Sequence, residues 1–203
     1  LNKMSQTYHQ LYQKRLARGK YRDQVRPILV NNWEGTYFDF NEDKIVSMAN
    51  TAKELGIELF VLDDGWFGNR NNDHQGLGDW FPNLDKLPHG ISGLSKRIHD
   101  LGLKFGLWFE PEMISANSEL YRQHPEWVLA TPNRGKSVSR NQYVLDFSRA
   151  DVRENIYQQM TAILDRVPID YIKWDMNRNM TEVYSLLLDP AMQGEVSHRY
   201  MLG

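Results

Sequence analysis

Asp170-Tyr171-Ile172-Lys173-Trp174-Asp175-Met176-Asn177-Arg178 reads as a short buried strand that breaks off into polar residues. Alternate side chains along a strand share a face, so Tyr171, Lys173 and Asp175 point one way and Ile172 and Trp174 the other. The second pair suits packing against helices. The first set puts an ammonium beside a carboxylate on the inward face, at the C-terminal end of the strand. A lysine next to an aspartate in a closed site favours the ionised carboxylate, the form a nucleophile needs. A structural ion pair is the commoner origin of such a pattern, but three earlier strand ends look similar.

Upstream the same unit repeats. Residues 27–33 are an apolar run with Pro27 at its start, where a strand tolerates it. Asn41 opens a helix with Ile45, Met48, Ala49, Ala52 and Leu55 on one face and Gly56 as its stop. Residues 57–63 form a second strand that runs into Asp64-Gly65-Trp66 and a long polar loop with Asp73, His74, Asp79 and Trp80. A helix with Leu94, Ile98 and Leu101 stops at Gly102, and residues 103–110 are the third strand, followed by Pro111-Glu112-Met113. The next excursion holds a short helix near Ser118 to His124 and a short strand over 143–147. Ser148 caps a third long helix carrying Val152, Ile156, Met160, Ile163 and Leu164, ended by Pro168.

The order β-α-β-α-β-α-β calls for parallel strands joined by right-handed crossovers. Helix-to-strand connections are short, whereas strand-to-helix connections are long and carry most of the Trp, Asp, Asn and Arg of interest. A (β/α)8 barrel places its functional residues on such loops. A doubly wound sheet shares the asymmetry, but its first turn usually carries a glycine-rich phosphate cradle, and Trp33-Glu34-Gly35-Thr36-Tyr37 lacks one. The expected fold class is therefore α/β, a partial (β/α)8 TIM barrel of about the first four βα units. Residues 1–22 are expected to be a helical linker preceding the barrel, and 23–203 its N-terminal half. Four units leave two edges that need covering.

Composition narrows the function. The chain has 203 residues, 41% hydrophobic and 25% charged, with a net charge of −2. Acids and bases are interspersed, which argues against a nucleic-acid partner. There is no cysteine for a disulfide or thiolate site, and the six histidines have no His-Glu-x-x-His spacing, so neither a metal nor a cofactor is expected. No apolar run approaches the ~20 residues that span a bilayer, so no membrane partner is expected. Residues 1–22 combine Tyr8, Leu11, Tyr12 and Leu16 at helical spacing with many basic residues, unlike a signal peptide. A cytoplasmic protein and a homo-oligomeric full-length parent are expected, and a first residue of Leu rather than Met suggests an excerpt. Gly135-Lys136-Ser137 is not a P-loop, since Ala130 stands where its first glycine belongs. Asn179-Met180-Thr181 is a glycosylation sequon by pattern only.

Aromatics reach 12%, with six Trp and ten Tyr. Beside clustered carboxylates they suit sugars, although rings fill cores equally well. Strand parity brings them together. Trp33 shares a face with Asn31 and Leu29, Asp63 with Val61 and Leu59, and Trp108 and Glu110 with Gly106. Each set ends on a residue competent to bind sugar. Asp63 and Asp64 read equally as a turn aspartate plus a helix cap or as a hydroxyl-binding pair. Trp33 and Trp108 fit a core or a stacking wall. Glu110 and Glu112 flank Pro111, which favours a rigid turn over catalytic acids. His74, His89 and His124 are read as loop or surface residues.

Asp63-Asp64-Gly65-Trp66, Trp108-Phe109-Glu110-Pro111-Glu112-Met113 and residues 171–178 together resemble the α-galactosidases (melibiases) of glycoside hydrolase family 36. The resemblance covers almost the whole chain. It implies retaining hydrolysis of terminal α-galactosides of the melibiose and raffinose type, with Asp175 as the nucleophile that forms a covalent glycosyl-aspartate. It also implies that Asp63, Asp64 and Lys173 bind galactose hydroxyls and that Trp33 and Trp108 shape the pocket. Arg140 matches an arginine that reaches into the site, and Asn177 matches a further polar contact. The implied partners are α-galactoside oligosaccharides. The family's acid/base is an aspartate on a later strand and a β-sandwich precedes its barrel, so these residues resemble a piece of the enzyme, expected to be inactive by itself. A galactosyl transferase of the raffinose-synthase type and a non-catalytic galactose-binding fragment stay open.

Overall fold

Four parallel strands form the central sheet of the computed structural model, which describes residues 1–203. The chain enters through α1 (Asn2–Leu11), a π-type turn (Tyr12–Leu16) and a 3-10 turn (Lys20–Arg22) before β1 (Leu29–Asn31). A short α2 (Trp33–Thr36) follows at once, and α3 (Glu42–Glu54) leads back to β2 (Leu59–Leu62). The next crossover runs through α4 (Gly90–Asp100) to β3 (Lys104–Phe109). The short strands β4 (Met113–Ile114) and β5 (Tyr143–Val144) pair antiparallel on either side of α5 (Glu119–Gln123). The long helix α6 (Ala150–Leu164) leads to β6 (Tyr171–Trp174), and α7 (Val196–Leu202) closes the described chain.

The sheet order is β1-β2-β3-β6, with Leu29 opposite Leu59, Phe60 opposite Phe105 and Leu107 opposite Ile172. These are the first four βα units of a (β/α)8 barrel, open at β1 and β6. Parity sorts the two faces as expected. Phe60, Leu62, Phe105, Leu107 and Phe109 join one core with Ile45 and Ala49 of α3, Leu94 and Ile98 of α4, and Ile156 and Met160 of α6. Fully burying an aliphatic side chain of this size is worth about 1.5–3 kcal/mol, so this outer face holds the helices on. Leu59 and Val61 are buried but stand outside that core, on the inner face. Gly106 lies between them and β6. A Cβ there would come within 2.9 Å of Val61 and 3.1 Å of Tyr171, so only glycine lets the inner face close at that level.

Local signals set the helix ends. The Asn41 side chain accepts from Lys44 N at 2.9 Å and caps α3, a contact typically worth about 1 kcal/mol. Gly56 and Gly102 take φ of 83° and 78° just beyond α3 and α4, a conformation that a β-carbon disfavours. The expected cap at Ser148 is corrected. α6 starts at Ala150 with Arg149 as the flanking residue, so Ser148 lies one residue too early to cap it, and its hydroxyl donates to Asp146 at 2.5 Å. Arg149 instead forks onto Asp151, whose carboxylate stands in the first turn.

Ile172 and Trp174 point outward, as read, yet both stay well exposed because β6 is an edge strand. Trp174 borders a groove with Ile156, Tyr157, Met160 and Leu164 of α6. Every residue of α1 is exposed, and Tyr8 stacks on Tyr12 at 6.0 Å. No helix is long and apolar enough to cross a membrane.

Candidate active site

The C-terminal ends of the four strands converge on a pocket of about 170 Å³. Asp175 lies on its wall, one residue past β6. Its Oδ2 accepts from the Trp108 indole N–H at 3.0 Å and its Oδ1 from the backbone N–H of Met176 at 3.0 Å. Burial pushes the Asp175 carboxyl up. The donors on Trp108, Asn177 and Met176, with the Lys173 charge, outweigh burial and hold the group below the usual carboxylate range. The side chain is therefore charged at neutral pH and remains open to the pocket.

Lys173 corrects one expectation. Its ammonium does not pair with the neighbouring Asp175 but reaches across β3 to Asp63 Oδ2 at 2.8 Å. Side chains at i and i+2 on a strand stand parallel and well apart, whereas the cylinder's curvature tips inward side chains of different strands toward each other. Asp63 is further fixed by its own main chain. Its N–H donates to Asn32 Oδ1 at 2.8 Å, and its Oδ1 accepts from Asp64 N at 2.9 Å.

Asp64 is buried and gripped by Arg70, whose Nε and Nη2 donate to its two oxygens at 3.0 and 2.8 Å. Burial pushes this carboxyl up, and the Arg70 fork opposes that. Both side chains line the pocket.

Trp33 opens α2 at the pocket rim, with Tyr37 and Phe38 set edge-on to it, each at 5.2 Å. Trp108 is not an open stacking wall. Its ring is 2% exposed, lying 6.1 Å from both Phe67 and Trp80, and it offers the pocket chiefly its N–H. Arg140 sits at the tip of a hairpin, where it and Asn141 take φ of 51° and 58°. Its guanidinium donates to Asn177 Oδ1 at 3.2 Å. Buried Arg178 holds that hairpin by donating to the carbonyls of Ser137 and Gln142 at 2.9 and 2.8 Å. All eight expected residues thus line one pocket: Trp33, Asp63, Asp64, Trp108, Arg140, Lys173, Asp175 and Asn177.

A family model described as Melibiase matches residues 1–203, the full length of the chain. The chain belongs to the Melibiase family. Among curated melibiase relatives, it is 63% identical to alpha-galactosidase AgaA of Geobacillus stearothermophilus over 203 residues. It is 55% identical to alpha-galactosidase Mel36A of Lactobacillus acidophilus over the same length. In both cases all of this chain is covered and 28% of the relative, so the chain spans just over a quarter of their length. The crystal structure of AgaA, a GH36 alpha-galactosidase, superimposes with a TM-score of 0.94 at 62% identity, over 98% of this chain and 28% of that one. A two-substitution variant of AgaA, with the same score and coverage, was crystallised in complex with raffinose.

Five further residues line the pocket: Phe38, Arg70, Asp73, Glu110 and Gln142. Strand parity places Glu110 on the inner face, and the turn expected at Pro111 is present, with the Met113 N–H donating to the Glu110 carbonyl at 3.3 Å. The Glu110 side chain is a buried clamp, accepting from the Gln142 side-chain amide at 3.0 Å and from Asn177 N at 2.5 Å. Burial, with a smaller contribution from Asp175, pushes its carboxyl up against these donors. Glu112 lies outside the pocket and takes the Trp174 indole N–H at 2.8 Å and the Tyr200 hydroxyl. No group of three or more His, Cys, Asp or Glu side chains is arranged to hold a metal ion.

Proposed function

We propose that this chain supplies the nucleophile half of a retaining α-galactosidase acting on terminal α-galactosides such as melibiose and raffinose. The observation that carries the reading is Asp175: a carboxylate kept charged by the Trp108 N–H, facing a pocket whose other walls are hydroxyl-binding groups. Asp63, Asp64, Lys173, Arg140 and Asn177 present both acceptors and donors, which matches the several hydroxyls of a hexose. Trp33 bounds the sugar on the open side, while Trp108 serves Asp175.

In this mechanism an Asp175 oxygen attacks the anomeric carbon. The bond from that carbon to the leaving oxygen breaks, and the oxygen leaves with a proton from an acid on a later strand. Water, deprotonated by the same group, then attacks the glycosyl ester and frees galactose with the configuration retained. Retaining chemistry places the two carboxyls about 5–5.5 Å apart. Residues 1–22 as a linker before the barrel, a homo-oligomeric parent and a cytoplasmic location belong to the same proposal.

The test uses the full-length protein. Proton NMR during hydrolysis of an aryl α-galactoside is expected to show α-galactose first, and initial β-galactose would overturn the retaining assignment. Trp108→Phe supplies a second check, since it keeps the ring but removes the N–H. Losing that donor lets the Asp175 carboxyl rise, so the acidic limb of the kcat/KM profile moves to higher pH. An unmoved limb would separate Trp108 from the charge on Asp175.

A further inference from the structure

Lys86 lies on the return arm of the loop between β2 and α4, half-buried, and has no part in the chemistry above. Its ammonium donates to three main-chain carbonyls: Phe38 at 3.1 Å, Gly65 at 2.9 Å and Arg70 at 3.1 Å. It also stands 4.7 Å from the centre of the Phe40 ring. The Asp64 and Asp39 carboxylates act on it through space rather than by contact. An ammonium has three N–H bonds, so three converging carbonyls use its whole donor capacity. Each carbonyl belongs to a segment at the pocket. Phe38 and Arg70 line it, and Gly65 follows Asp64.

We propose that Lys86 is a positioning residue for the sugar pocket: its ammonium ties three chain segments at one point and so sets where Asp64, Arg70 and Phe38 stand relative to Asp175. This rests on reading the pocket as a galactose site, and it adds how that site is held. A planar guanidinium does not reproduce a tetrahedral set of three donors, so arginine is not an equivalent residue there.

Burial lowers the Lys86 ammonium to about 8, with Asp64 and Asp39 opposing and Arg70 adding to the shift. Those are the charged groups that face it. Asp39 is paired with Lys44 at 3.5 Å, and Glu42, whose N–H donates to the Lys86 carbonyl, turns its carboxylate to Arg97 and His89. The neutral amine has two N–H bonds for three carbonyls, so one segment is released as pH rises through that range.

The experiment compares full-length protein with its Lys86→Met variant. Galactose is expected to inhibit the variant about fivefold more weakly, with kcat on an aryl α-galactoside changed less than about threefold. Amide exchange over residues 63–71 is expected to be about tenfold faster. Faster exchange with an unchanged galactose constant would make Lys86 merely structural and overturn the proposal, as would no change in either. Should Lys86→Met fail to fold, the unmodified protein decides. Its galactose constant should weaken with a midpoint near pH 8, and a flat constant overturns the proposal. Full-length protein that binds no galactose at all would instead sink the functional reading, and exchange in Lys86→Met would still decide whether the tie exists.

Discussion

Asn in place of Asp175 in the full-length protein is expected to lower kcat on an α-galactoside by on the order of 10⁴-fold, with galactose binding largely kept. The amide nearly matches the carboxylate in shape and accepts the Trp108 N–H through its oxygen, but it does not attack the anomeric carbon. Asp175→Ala adds a distinguishing outcome. Sodium azide should enter the space left by the carboxylate and attack the anomeric carbon of an aryl α-galactoside whose phenolate leaves without help. The expected product is β-galactosyl azide. A variant that keeps a tenth of the rate, or one that azide never rescues, would remove Asp175 from the nucleophile's role.

The second large effect concerns the Lys173–Asp63 pair. Lys173→Met leaves the Asp63 side chain, 3% exposed, without its 2.8 Å partner. Breaking a buried pair from one side typically costs about 3–5 kcal/mol, because a charge stays behind without compensation. Since Lys173 is one-third exposed, the lower end of that range is expected. Loss of one charged hydrogen bond to the sugar should also lower kcat/KM by about 10- to 100-fold. Thermal melts together with kinetics check this, and an unchanged Tm would show that Asp63 does not depend on Lys173 for compensation.

Strand periodicity carried most of the site. Because side chains alternate strictly, Asp63, Trp108, Glu110, Lys173 and Asp175 all fell on the inner face, and the structure brings each to one pocket. The helix stops at Gly56 and Gly102 and the cap at Asn41 were legible for the same reason: each is a local rule. Long-range reach was not. That Lys173 crosses β3 to Asp63 depends on sheet curvature, which a single strand does not encode. Arg70 and Lys86 lie on a long irregular loop with no period to read; Arg70 grips a carboxylate in its own loop, and Lys86 reaches carbonyls up to 48 residues away. Ser148 failed as a cap because α6 begins at Ala150, which leaves Arg149 and not Ser148 at the capping position. Glu110 satisfies both local rules: parity turns its side chain inward, and Pro111 makes the turn that follows it.

Trp108 is at once part of an aromatic stack with Phe67 and Trp80 and the donor to Asp175. On the proposed chemistry the indole is an optical reporter. On the proposed mechanism, Asp175 loses its negative charge 3.0 Å from the indole nitrogen on becoming a glycosyl ester, and the emission of Trp108 should shift. Rapid mixing with a substrate whose glycosyl ester hydrolyses slowly would then let that ester be timed directly, with no label attached.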